Sequence, residues 1–147
     1  MEFNKFYDLA RSLMNKHGLQ SWGLTTDNAK KRFGQCRISR RELSFSWQLV
    51  HLNTEEIVRD TILHEIAHAL VPSWVHHGRE WQQKAISIGC NGKRCYNHSE
   101  VVLPKSKYTA TCPKCGAVNQ YSRIKNVSCG LCSRHYNPEL KLVFKLN

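Results

Sequence analysis

Residues 64–68 read His-Glu-Ile-Ala-His inside an apolar run, with Thr61-Ile62-Leu63 before them and Ala69-Leu70-Val71 after. Three ionisable groups in such surroundings carry a desolvation cost unless they share a task. On an α-helix, positions four apart differ by about 40° in azimuth and about 6 Å in rise, so His64 and His68 project side by side and can grip one metal ion. Glu65 is turned by about 100° from His64, outside the ligand shell but placed to take a proton from a water. The chain must therefore build a buried helix across this segment, with a catalytic-type metal centre on one face.

The neighbouring pattern agrees with a central helix. Asn53-Thr54-Glu55-Glu56 offers a cap followed by acids in the first turn, and Val58, Ile62, Leu63, Ile66, Ala67 and Leu70 cover most of the circumference. The helix is expected to run to Pro72. A third helix is expected over residues 78–88, ended by Gly89, and a first over residues 4–17, where Phe6, Leu9, Ala10 and Leu13 recur at helical spacing and Gly18 follows. Strands are expected over 32–38 and 43–50, the second from the alternation of Leu43, Phe45, Trp47 and Leu49 with polar residues, joined by a turn at 39–42.

Zinc suits two histidines of this kind, and an open position on it serves hydrolysis. A third protein ligand is required. The candidates just downstream are His76, His77 and Glu80, and spacing alone does not choose among them. A residue opening the next helix is well placed, which favours His77, with Glu80 as the main competitor.

Seven cysteines is an odd number, and four of them form two pairs, Cys112-Pro-Lys-Cys115 and Cys129-Gly-Leu-Cys132. This spacing fits a four-thiolate structural zinc better than a disulfide framework, and it points to a reducing compartment. His135 is a competing ligand for Cys132. Cys90, Cys95 and His98 make a looser cluster without a fourth ligand, read as structural or incidental. Trp22, Cys36 and Trp47 are read as core or groove residues.

The formal charge is +11 and the pI about 9.6, which raises an anionic partner such as nucleic acid. From Leu103 onward there are eight Lys or Arg against the single acid Glu139. Lys105, Lys107, Lys114, Arg123, Lys125 and Arg134 are the candidate nucleic-acid contacts, interleaved with Tyr108, Tyr121 and Tyr136. No stretch approaches the roughly 18 apolar residues of a membrane span, and residues 1–5 open no signal core. The expectation is a monomeric, soluble, intracellular protein, cytoplasmic or nucleoid-associated and not secreted, with no membrane partner.

Leu63-His-Glu-Ile-Ala-His-Ala-Leu70 followed by His77-Gly-Arg-Glu-Trp81, with Trp22 and Arg32-Phe-Gly-Gln-Cys36 upstream, resembles the SprT-like family, to which the Spartan proteases belong. A zinc ribbon at the C-terminus is similar to the module that bacterial and phage members carry there. The resemblance implies His77 as the third zinc ligand. It also implies a gluzincin-like α+β architecture of helices on a small antiparallel sheet, and a protease acting on DNA-bound or DNA-crosslinked proteins. The expected organisation is a SprT-like metalloprotease domain over 1–104 and a zinc ribbon over 105–147, with one catalytic and one structural Zn2+. The expected function is a zinc endopeptidase with Glu65 as general base. The alternative is a non-enzymatic, transcription-associated nucleic-acid-binding zinc protein, and an intact Glu65 speaks for the enzyme.

Overall fold

The computed structural model describes residues 1–97 and 99–147, and divides into two compact units, Met1–Pro104 and Lys105–Asn147. His98, proposed as part of a third cluster with Cys90 and Cys95, lies outside the described residues. Helices and small sheets make the fold α+β. Among the described residues no helix is long and apolar enough to cross a membrane.

The first unit opens with α1 (Phe3–Lys16), which buries Phe6, Ala10, Leu13 and Met14 on one face. Gly18 ends it at φ 80°. Its N–H donates to the Asn15 carbonyl and that of Leu19 to Met14, the paired closure that a left-handed residue permits. Strands β1 (Gly23–Asp27), β2 (Gly34–Arg37) and β3 (Glu42–Ser46) follow, in spatial order β1-β3-β2.

This sheet corrects the expectation of an antiparallel one. β3 pairs antiparallel with β2 but parallel with β1, so the sheet is mixed. β1 escaped the reading because Gly-Leu-Thr-Thr-Asp is largely exposed and has no alternating apolar face. The second strand is also shorter than expected. Ser46 turns the chain into α2 (Trp47–Leu52), its Oγ accepting the Leu49 N–H at 3.3 Å. The alternation across 43–49 thus spans a strand and a capped helix. The expected turn at 39–42 is a 3-10 turn over Ile38–Arg40, closed by Arg41 at φ 50°.

Helix α3 (Glu55–Leu70) starts at Thr54, whose side chain accepts the Ile57 N–H, and it packs against α1, β2 and α4 (Arg79–Ser87). It ends two residues before the expected Pro72 because the residue preceding a proline is driven to extended backbone, here Val71 at φ −121°, ψ 160°. Phe6 meets Phe45 edge-on at 5.6 Å, tying α1 to the sheet above this helix.

The segment after α4 is fastened at several points. The Asn91 N–H donates to Asp60 Oδ1 at 2.8 Å, and the Tyr96 hydroxyl donates to the Lys31 carbonyl. Buried Asn53 donates Nδ2–H to the carbonyls of Leu49 (2.7 Å) and Val102 (2.9 Å) and accepts the Val102 N–H at 2.8 Å. All its polar atoms are thereby satisfied away from water.

The second unit is a three-stranded antiparallel sheet, order β5-β4-β6, of β4 (Tyr108–Thr111), β5 (Val118–Tyr121) and β6 (Val143–Leu146). A 3-10 turn over Pro138–Leu140 precedes the closing strand β6. Its buried core is Ala110, Cys112, Cys129, Leu140 and Leu142. That is little apolar surface for some forty residues, a size at which a metal or disulfide usually supplements the core.

Candidate metal centres

Helix α3 presents His64 and His68 one turn apart, and the turn ahead of α4 brings His77 to them. The Nε2 atom of His77 lies 3.1 Å from that of His64 and 3.0 Å from that of His68, and the ligating atoms all fall within 4.8 Å. Three nitrogens bound to one zinc at about 2.05 Å in a tetrahedral arrangement would stand about 3.3 Å apart. The trio therefore fits such an ion after a small outward adjustment. Burial pushes the imidazoles of His64 and His68 down to about 4 and lowers that of His77. Neutral imidazole is the form that ligates.

The two other residues considered for the third ligand, His76 and Glu80, are exposed and stand outside this group. His76 has a different part. It occupies φ 51°, ψ −130°, a region that favours glycine, and the Gly78 N–H closes the turn on the Val75 carbonyl at 3.0 Å. These angles are those of a type II′ turn, in which the first central residue takes positive φ. Gly78 is needed too, since a Cβ there would lie 2.9 Å from the Val75 carbonyl oxygen.

Glu65 is 7% exposed. Burial raises its carboxyl to about 7, against the opposing pull of the Arg32 charge and a hydrogen bond from the Cys36 backbone N–H. Cys36 itself, on β2, has its thiol pushed up to about 12 by burial and by the Glu65 charge, so it stays protonated. A groove of about 1330 Å³, lined by β2 and the turn after it, by α3 and by much of residues 89–97, reaches Glu65 and all three histidines. The arrangement offers three neutral nitrogen donors, a buried carboxyl lining the same groove and room for a substrate.

Trp81 is a site residue that the motif alone did not reveal. It is 1% exposed, and its ring lies 4.6 Å from His64, 5.1 Å from His68 in a stacked geometry and 4.8 Å from His77. Its Nε1–H points to the His64 carbonyl at 3.4 Å. One side chain thus braces all three imidazoles. The aromatic position after His77-Gly-Arg-Glu was the available signal.

In the second unit the sulfurs of Cys112, Cys115, Cys129 and Cys132 converge, all within 4.8 Å. Cys112 Sγ is 3.9 Å from Cys132 Sγ, and Cys115 Sγ is 3.7 Å from Cys129 Sγ. Four sulfurs at about 2.3 Å from one tetrahedral zinc would stand about 3.8 Å apart, whereas a disulfide needs about 2.05 Å. Backbone N–H groups of Cys115 and Lys114 directed at Cys112 hold its thiol down to about 6. His135 is exposed and outside this cluster. Among the described residues Cys90 and Cys95 join no metal-ligating group; the Cys90 thiol donates to the Asp60 carbonyl at 3.7 Å.

Lys105, Lys107, Lys114, Arg123, Lys125 and Arg134 are all exposed. Tyr108 and Tyr121 stand opposite each other across β4 and β5. Lys107 Nζ lies 5.5 Å from the Tyr108 ring and Lys125 Nζ 5.6 Å from the Tyr121 ring.

Set beside known proteins, residues 3–101 match the model of the SprT-like family. Protein SprT of Pseudomonas putida (strain GB-1) is 28% identical over 89 residues, which cover 56% of this chain and 54% of that protein. The chain thus matches about half the length of this curated relative.

Proposed function

This chain belongs to the SprT-like family, and on that footing we propose that it is a zinc-dependent endopeptidase in which Glu65 is the general base. His64, His68 and His77 would hold the catalytic ion, and Met1–Pro104 would be a gluzincin-like minimal protease domain. Zinc in such a site supplies Lewis acidity, polarising a peptide carbonyl and making water acidic enough to serve as nucleophile near neutral pH. Glu65 takes the proton from the attacking water and returns it to the departing amine, so no covalent intermediate forms. A carboxyl raised toward 7 is suited to both halves of that exchange. Trp81 packs against all three imidazoles and holds them close to the spacing an ion requires.

The observation that carries this reading is the buried carboxyl of Glu65 beside the converging histidines on an open groove. A metal held only for structure has no use for a base or a cavity next to it. Glu65→Gln preserves shape and hydrogen bonding but cannot accept the proton. It should reduce hydrolysis of casein or of a basic DNA-binding protein by at least about 100-fold, with zinc content unchanged by elemental analysis. Undiminished cleavage by this variant would falsify the mechanism.

For substrate, we infer DNA-associated or DNA-crosslinked proteins, reached by a monomer through its Lys105–Asn147 unit, where the cluster of four cysteines would hold a structural zinc. The paired Tyr108 and Tyr121 with Lys107 and Lys125 over their rings support a surface that stacks bases and neutralises phosphates. Seven unpaired cysteines suit a reducing compartment, cytoplasmic or nucleoid-associated. The same surface favours a second reading, a nucleic-acid-binding zinc protein without activity. Cleavage by the two-zinc wild type separates the two. Single-stranded DNA binding should weaken with salt, with the log–log slope falling by about 0.7 for each phosphate-contacting Lys or Arg neutralised.

A further inference from the structure

Strand β2 lies at the edge of its sheet, antiparallel to β3, with Gly34 opposite Phe45 and Cys36 opposite Leu43. It packs against α3, the helix that carries Glu65. A Cβ built on Gly34 would meet Glu65 Cγ at 2.9 Å, Phe45 Cδ1 at 3.0 Å and Glu65 Oε1 at 3.1 Å. Contacts this short require a neighbour to move. Gly34 does not have the positive φ that would call for glycine on backbone grounds. The absence of a side chain is therefore demanded by what lies against it, and two of the three atoms belong to one glutamate. Two residues along the same strand, Cys36 lines the groove that Glu65 also lines.

We propose that Gly34 is a positioning residue for Glu65: the missing side chain at 34 leaves the space that the Glu65 side chain occupies in the rotamer that lines the groove. The proposal rests on the reading of Glu65 as general base, and it adds a requirement on the strand that the helix motif does not contain. A methyl group at 34 pushes the Glu65 side chain off that rotamer, or forces β2 away from α3. Either shift carries the carboxyl away from the water it must deprotonate, and leaves the three histidines, which β2 does not supply, in place.

The test is a melting cycle on the full, zinc-loaded chain, followed by tryptophan fluorescence, since Trp22, Trp47, Trp74 and Trp81 all belong to the first unit. Gly34→Ala is expected to lower the melting temperature by about 4 °C or more. In a Glu65→Ala background, where both glutamate contacts are gone, the same change is expected to cost less than half as much. In parallel, Gly34→Ala should lower kcat on casein at least tenfold with KM within twofold and zinc content unchanged, the split expected when a group acting in the transition state is displaced. Equal melting losses in both backgrounds would assign the glycine to packing on Phe45 and overturn the proposal. So would a coupled melting loss with kcat untouched. A wild type inert on casein and on basic proteins alike would sink the hydrolase reading, while the melting cycle, which needs no turnover, would still uphold or overturn the coupling of Gly34 to Glu65.

Discussion

The two candidate metal centres are built by opposite economies. In Met1–Pro104 the three histidines project from α3 and from the turn before α4, elements already held by twenty-one buried apolar residues running from Phe6 to Val101. In Lys105–Asn147 the buried core has five members, two of which, Cys112 and Cys129, are themselves candidate ligands. The first group of candidate ligands stands outside the buried core, with a groove adjoining it. The second has four sulfurs, which would fill the positions of a tetrahedral ion and leave none. The three histidines that would hold a reactive metal are thus set on a framework packed from other residues, and two of the four cysteines that would hold a structural one are built into the core.

The sharpest way to break this comparison is to remove metal from each side. Cys112→Ser with Cys115→Ser forfeits structural zinc binding worth about 10–16 kcal/mol. It should collapse the amide dispersion of residues 105–147 in NMR spectra while leaving the tryptophan fluorescence of the first unit unchanged. A second unit still folded in that variant would show that its core suffices alone.

Next in size is Trp81, the brace behind the histidines. Trp81→Ala should cost the first unit about 3–5 kcal/mol. Trp81→Phe keeps most of the packing but loses the reach to His64 and should weaken zinc at the first centre by about tenfold, measured by competition with a chromophoric chelator. Metal affinity unaltered in the Phe variant would mean that the histidines are aligned by their own elements alone.

Smaller again is the cap of α3. Thr54→Ala should lose about 1 kcal/mol in chemical denaturation of the first unit and nothing in the second. The smallest change has the other sign. His76→Gly removes a side chain from a positive-φ position, and it should stabilise the first unit by up to about 1 kcal/mol with both zinc ions retained. A loss of stability in that variant would mean that the His76 side chain makes a compensating contact in the groove.

The helix motif and the cysteine pairs were legible because both are local: four residues along a helix, or three along a knuckle, fix which side chains meet whatever surrounds them. Glu55 and Glu56 at the start of α3 and Gly18 after α1 carried the same kind of information. What the sequence hid depends on distant partners. The exposed β1 acquires meaning only beside β3, to which it runs parallel. Trp47 and Leu49 continue an alternation that looks like a strand, and only the cap made by Ser46 turns it into α2. Trp81 meets His64 across seventeen residues and Gly34 meets Glu65 across thirty-one, so neither role could be read from spacing. The choice of His77 over His76 and Glu80 lay between these cases, since it turned on the direction in which a short turn points.

The segment following α4 has its attachments at Asp60, at Lys31 and at Asn53, and the stretch around Arg94 between the first two lines the groove. Like a bridge deck on piers, the stretch from Asn91 to Tyr96 is fastened at both ends to residues outside itself. Residues inserted after Arg94 would recut one bank of the cleft while leaving His64, Glu65 and His68 on α3 as they are.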